Sequence, residues 1–139
     1  MNKQQKIENF DPSQPGLADA TVFGLPFTAE ESEIIIIPVP WEVTVSYGAG
    51  ASEGPEAILD ASFQVDLHHQ EFPELWKLGI YLDEAPVHWK KNSEKYKDLA
   101  QPIIELLESG EAVENYPALQ ADLDKINKVC HELHTEVKD

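Results

Sequence analysis

Four consecutive isoleucines, Ile34 to Ile37, followed by Pro38-Val39-Pro40-Trp41, constrain this chain more than any other stretch. β-Branched side chains suit a pleated backbone, and an apolar run without alternation predicts a strand covered on both faces. Pro38 and Pro40 cannot donate to a ladder, so the strand should stop there. A loop with Gly48, Gly50 and Gly54 follows, and Pro55 is suited to the first position of a helix. Glu56 complements the dipole of that helix, and Ile58 and Leu59 are expected to face a sheet. Gly54, just before the helix, is expected to sit where a β-carbon would be crowded. Strand, long loop and helix together predict the start of an α/β layer architecture.

Residues 1–32 mix polar residues with Pro12, Pro15, Gly16, Gly24 and Pro26, and predict an irregular N-terminal arm anchored by Phe23, Leu25 and Phe27. Residues 33–139 form the domain proper. Phe63, Val65 and Leu67 alternate with polar residues and predict a second strand; Leu78, Ile80 and Leu82 predict a third. Residues 83–92 are expected to be a loop. Ser93 is the expected N-cap of a helix running to Glu108, kinked or restarted at Pro102 and stopped by Gly110. A last amphipathic helix starts near Pro117 and carries Leu119, Leu123, Ile126, Val129, Cys130, Leu133 and Val137 at intervals of one, three and four residues.

The 139 residues carry 10 Lys plus Arg against 26 Asp plus Glu, a formal charge of −16. So negative a surface repels phosphate backbones and anionic membranes, which argues against nucleic-acid and membrane partners and favours a cationic ligand. Cys130 is the single cysteine, so no internal disulfide forms, which suits a reducing cytoplasm. Met1 to Lys6 leads into no apolar segment of secretory type, and no run is long enough to span a bilayer.

The glycine loop from Gly48 to Gly54 precedes a helix N-terminus, where phosphates bind. Its spacing is neither that of a dinucleotide fingerprint nor that of a P-loop, no Lys follows, and Glu53 would oppose an anion. His68 and His69, adjacent on an expected strand, would point to opposite faces and cannot share a metal. His131 and His134 share a helix face, but their spacing is not that of a zinc helix and no further ligand pair accompanies them. The sequence holds no complete catalytic constellation and no assigned metal ligand.

Phe23-Gly24-Leu25-Pro26-Phe27, Pro38-Val39-Pro40-Trp41-Glu42, Ser46-Tyr47-Gly48 and Gly54-Pro55-Glu56-Ala57-Ile58 occur in the order found in the arginase/agmatinase (ureohydrolase) family. Ala61-Ser62 and Gln64-Val65-Asp66-Leu67 extend the resemblance to an agmatinase-like bacterial branch. The resemblance implies the N-terminal part of a three-layer α/β/α fold with a mostly parallel sheet, incomplete in this chain. It also implies two Mn²⁺ ions that activate a hydroxide against a guanidino carbon, releasing urea. The family's Gly-Gly-Asp-His, Asp-x-His-x-Asp and Asp-x-Asp motifs are absent, so no catalytic or metal residue carries over and the chain alone is expected to be inactive. What carries over is the loop after the first strand, whose Trp41, Glu42 and Tyr47 should approach the mouth of the site, with Glu42 attracting a guanidino cation. Gly48, Gly50, Gly54 and Pro55 are the structural residues of this loop and helix start. An uncovered strand edge should favour a homo-oligomer. The alternative expectation is a free-standing, non-catalytic α/β interaction domain.

Overall fold

The isoleucine run does form a strand, but a short one. In the computed structural model, which describes residues 1–14, 20–45 and 47–138, strand β1 is Ile34–Ile36. Pro15 and Gly16 of the expected arm lie outside the described residues. Strand β1 pairs in parallel with β2, Ile80–Leu82, in the register Ile34↔Ile80, Ile35↔Tyr81 and Ile36↔Leu82. Helices α1 (Lys3–Asn9), α2 (Gly54–Ser62), α3 (Val87–Glu108) and α4 (Pro117–Lys138) complete the regular structure. This is a mixed α/β fold whose described residues hold two parallel strands. Two units are distinguished within the chain. The first comprises Met1–Pro38 and Pro55–Glu84, the second Val39–Gly54 and Ala85–Asp139. Among the described residues, no helix is long and apolar enough to cross a membrane.

The first unit is centred on Trp76. Leu25, Phe27 and Trp76 are buried, and Ile7, Phe10, Phe23, Leu67 and Ile80 pack around them. Phe10 meets the Trp76 ring at 5.0 Å between centroids and Phe27 at 6.3 Å, distances at which aromatic pairs attract. Residues 3–9, expected to be irregular, are helical because Asn2 and Gln5 form a reciprocal capping box. Lys3 Nζ donates to the Leu78 carbonyl at 2.8 Å, and Lys6 pairs with Glu31 at 2.5 Å. Phe23 sits in the left-handed region with φ 62°, and its N–H donates to Ser62 Oγ at 2.9 Å. That bond helps hold a conformation unusual for a bulky residue.

Several expectations for this unit are corrected. Ile34, Ile35 and Ile37 are 43%, 43% and 51% exposed, so β1 is not covered on both faces among the described residues. Ile58, expected on a sheet face, is 61% exposed. Residues 63–67 are not a strand: the chain leaves α2 through turns closed by Gln64 N–H to Ala61 O and Val65 N–H to Ser62 O. Asp66 Oδ1 then accepts the His68 N–H at 2.8 Å, a local bond that competes with any ladder. Gly54 is right-handed helical (φ −53°, ψ −45°) with open space where a β-carbon would stand, so it is not crowded. Gly79 is crowded, at φ +77°: its β-carbon would lie 2.9 Å from Ser32 Cα.

The second unit is a pair of long helices with an apolar seam. Val43, Ala100, Ile103, Val113 and Ile126 are buried together, with Leu99, Ile104, Leu119, Leu123 and Cys130 against them. The three-and-four spacing on α4 therefore marks its inner face as expected. Gly110, at φ 82°, ends α3: its N–H reaches the Leu107 carbonyl and that of Glu111 the Leu106 carbonyl, a Schellman arrangement. Pro117 opens α4. On α3 the expected start is corrected, and of the kink or restart expected at Pro102 the restart is absent. The helix begins at Val87 rather than Ser93, because Pro86 stands in the cap position and Trp89 is buried with its indole N–H on Glu136 Oε2 at 2.6 Å. It also runs through Pro102 without a restart.

Candidate functional site

The loop after β1 is organised by one buried carboxylate. Glu42 is 4% exposed, and its hydrogen-bond partners are two backbone N–H groups, a lysine ammonium and a serine hydroxyl. Oε2 accepts the N–H of Gly50 at 2.6 Å and that of Ser52 at 3.1 Å. Oε1 pairs with the ammonium of Lys97 on α3. Its own backbone N–H donates to Ser93 Oγ at 2.7 Å, and Ser93 is itself buried. The Lys97 hydrogen bond, then the Ser52 and Gly50 N–H groups, hold the Glu42 carboxyl down at about 2. It is therefore ionised throughout the physiological range.

These bonds answer the phosphate question raised by the glycines. Gly50 and Ser52 N–H groups, the donors a phosphate would use, are taken by the chain's own carboxylate. The loop closes on itself instead of opening as an anion cradle. Gly48 and Gly50, at φ 67° and 132°, supply the reversal that brings residue 50 back to residue 42. Ala51–Glu53 form one tight turn into α2, which starts one residue before Pro55. Glu53 pairs with Lys90 at 3.0 Å. An open depression of roughly 360 Å³ is lined by Glu42, Gly50, Ser52, Glu53, Ser93 and Lys97.

The three expected mouth residues thus have different surroundings. Trp41 packs against the helical core, Glu42 is buried in the loop, and Tyr47 is 95% exposed. Ser46 lies outside the described residues. Sequence reasoning missed Lys97 and misplaced Ser93, which stand 55 and 51 positions from Glu42. No local pattern links residues so far apart; only the packing of α3 does.

The histidines are not brought together. His69 Nδ1 accepts the N–H groups of Glu71 and Phe72 at 3.3 and 3.2 Å, which closes a turn. His131 and His134 are exposed on α4. His88, not singled out from the sequence, shares Glu136 with Trp89, at 2.8 Å from Nε2 to Oε2. Among the described residues, no group of three or more His, Cys, Asp or Glu side chains could hold a metal ion. The residues present do not fit a manganese pair.

A sequence profile of the Arginase family matches residues 32–135, three-quarters of the chain and all of the loop just described. The chain belongs to the arginase family. Within the family it is similar to the N(1)-aminopropylagmatine ureohydrolase of Synechocystis sp., with 38% identity over 53 residues, 37% of this chain and 17% of that protein. An enzyme of the same name from Thermus thermophilus is 38% identical over 59 residues, covering 42% of this chain and 18% of that protein. The chain therefore matches less than a fifth of the length of these relatives. No solved structure gives a significant match. The two parallel strands and the helices of the described residues fit an incomplete arginase-like α/β fold.

Proposed function

We propose that this chain is the N-terminal portion of a binuclear manganese ureohydrolase that hydrolyses a guanidino C–N bond and releases urea. The observation that carries this is the family match over residues 32–135, joined to similarity with two proteins named ureohydrolases. In this reading the loop from Trp41 to Ser52 contributes to the mouth of the site. The metal ligands come from sequence other than these 139 residues, so no step through manganese is assigned to them. The net charge of −16 favours a cationic substrate and disfavours nucleic acid and membrane surfaces. We assign a cytoplasmic location on the lone Cys130, and a homo-oligomeric state on the exposed isoleucines of β1.

The test is to read the gene past Asp139 and assay what it encodes. A frame that continues into Gly-Gly-Asp-His, and a manganese-loaded product that releases urea from agmatine or an N-substituted agmatine, supports the proposal. The 139-residue chain loaded with manganese should release none, because a two-metal hydrolase needs both ions held about 3.5–4 Å apart. Urea from the chain alone would overturn its assignment as a non-catalytic portion. A stop codon after Asp139, with a stable monodisperse product, would favour a free-standing interaction domain.

A further inference from the structure

We propose that His88 and Glu136 form a proton-responsive latch, which closes the open end of the α3–α4 hairpin against Trp41. His88 stands in the first turn of α3 and Glu136 in the last turn of α4. His88 Nε2 lies 2.8 Å from Glu136 Oε2, and the Trp89 indole N–H donates to that same oxygen at 2.6 Å. The two helices therefore run antiparallel, joined by the chain at the Gly110 end and by these three side chains at the other. Trp89 is buried, and with Trp41, Glu132 and Glu136 it lines a hollow of roughly 20 Å³, too small for any ligand beyond a water. A hairpin that opens here loses the wall behind both indoles.

Each charge stands at the unfavourable end of its own helix. A helix N-terminus favours anions and a C-terminus cations, yet α3 has no acidic residue in its first turn, and Pro86 brings no side-chain cap. Protonated His88 opposes the dipole of α3, and ionised Glu136 opposes that of α4. Across the closed hairpin both are compensated: Glu136 brings its charge to the start of α3, and His88 brings its charge to the end of α4. The closed state therefore favours the form in which both groups are charged, and a charge-assisted hydrogen bond is stronger than a neutral one. The surrounding charges have partners of their own. On α4, Glu132 pairs with Lys128 at 3.8 Å; on α3, Lys90 pairs with Glu53 at 3.0 Å. Lys138 adds a cation to the last turn of α4, and Trp41, from the preceding loop, carries no charge.

An imidazole takes up its proton near about pH 6.5, and the Glu136 carboxyl is held below its ordinary 4.5, first by Trp89 and then by His88. Protonation of His88 tightens the latch as the pH falls through about 6.5, and protonation of Glu136 undoes it below about 4.5. The latch is tightest between those values. The two side chains are 55% and 46% exposed, so water screens the pair and the change is few-fold.

Amide exchange of the 139-residue chain, expressed as protection relative to the unfolded rate at each pH, tests this. Lys91 and Asn92 on α3 and Leu133 on α4 should be about threefold better protected at about pH 5.5 than at about pH 7.5. Ile103 and Ile126, in the buried seam, should change less than about 1.5-fold. His88→Gln keeps an N–H donor without gaining charge, and Glu136→Gln keeps an acceptor for Trp89; each should remove the difference. A parent with equal protection at the two pH values would overturn the latch. So would a difference that survives both substitutions, which would assign it to other groups. An equal change at Ile103 and Ile126 would overturn it too, since global stability would then be the cause. The parent comparison needs no variant and so decides even where a substitution disturbs folding.

Discussion

The two units bury their apolar residues by different means. In the second, α3 and α4 satisfy their own backbone hydrogen bonds and need only close an apolar seam, which Ala100, Ile103, Val113 and Ile126 do. In the first, β1 and β2 satisfy each other on one side only, and Ile34, Ile35, Ile37, Ile58, Val65, Phe72 and Leu75 remain exposed. A helical pair is complete with two members, whereas a parallel pair of three-residue strands is not. What stabilises the first unit is thus less its sheet than the aromatic cluster at Trp76.

The sharpest way to break that contrast is to remove each centre in turn. Trp76→Ala should cost about 3–5 kcal/mol, since it deletes a large buried ring together with its contacts to Phe10 and Phe27. Ile126→Ala should cost about 2–5 kcal/mol, from lost burial plus the cavity it leaves. Urea unfolding followed by circular dichroism gives the totals. Hydrogen exchange resolved by residue should show Trp76→Ala loosening β2 and Ile126→Ala loosening α4. A Trp76→Ala cost under about 1 kcal/mol would show that the strand pair, not the cluster, holds the first unit.

Gly79 gives the next largest effect. It has positive φ and a β-carbon there would press on Ser32 Cα and the Glu31 carbonyl, both backbone atoms that cannot swing aside. Gly79→Ala should destabilise by about 1–3 kcal/mol through strain where β2 begins. Gly54→Ala, in open helical space, should be neutral or stabilise by about 0.4–1 kcal/mol. Thermal melts of the two variants check the pair, and reversal of their order would refute the assignment.

Gly79 and Gly110 also show what the sequence could convey. Gly110 was legible as a helix stop because its role depends on its immediate neighbours, and the α4 spacing was legible because a helix repeats it. Gly79 was not, since what crowds it is Ser32, 47 positions away. Residues 63–67 have the alternation of a strand, yet alternation describes a face and not a partner, and the Asp66 carboxylate accepts the His68 N–H instead. The same limit applies to the site. Trp41, Glu42 and Tyr47 were visible as large side chains in a loop, but that Glu42 is the buried one depends on Lys97 and Ser93, 55 and 51 positions away. The start of α3 was not legible: Ser93 is a good capping type, whereas Pro86, the residue in the N-cap position, offers no side-chain cap.

Acid should reveal the Glu42 contacts as a feature of the second unit. The Glu42 carboxyl is held at about 2, below its ordinary 4.5, chiefly by Lys97. A depressed carboxyl stabilises the fold fully above its unfolded value and loses that contribution as the pH falls toward its folded value. Glu42→Gln should therefore melt below the parent at pH 7, and the gap should narrow between about pH 4.5 and 2. Comparison with the parent is needed because Glu31, lowered by Lys6, and Glu136, lowered by Trp89, titrate in the same direction. A gap that does not change with pH would mean that charge has no part in those contacts.

The smallest expected effect bears on the open side of the first unit. Ile58 is 61% exposed on α2, although its sequence context placed it against a sheet. Replacing it with Lys removes little buried area, and Lys is a slightly better helix former than a β-branched residue. Ile58→Lys should therefore change the stability of the 139-residue chain by no more than about 0.5 kcal/mol in either direction. The added positive charge works the same way, since it lowers the self-repulsion of a chain with a net charge of −16. Chemical denaturation at low protein concentration is the measurement. A loss above about 1.5 kcal/mol would mean that Ile58 is covered in solution, and the picture of a first unit with an open apolar side would fail.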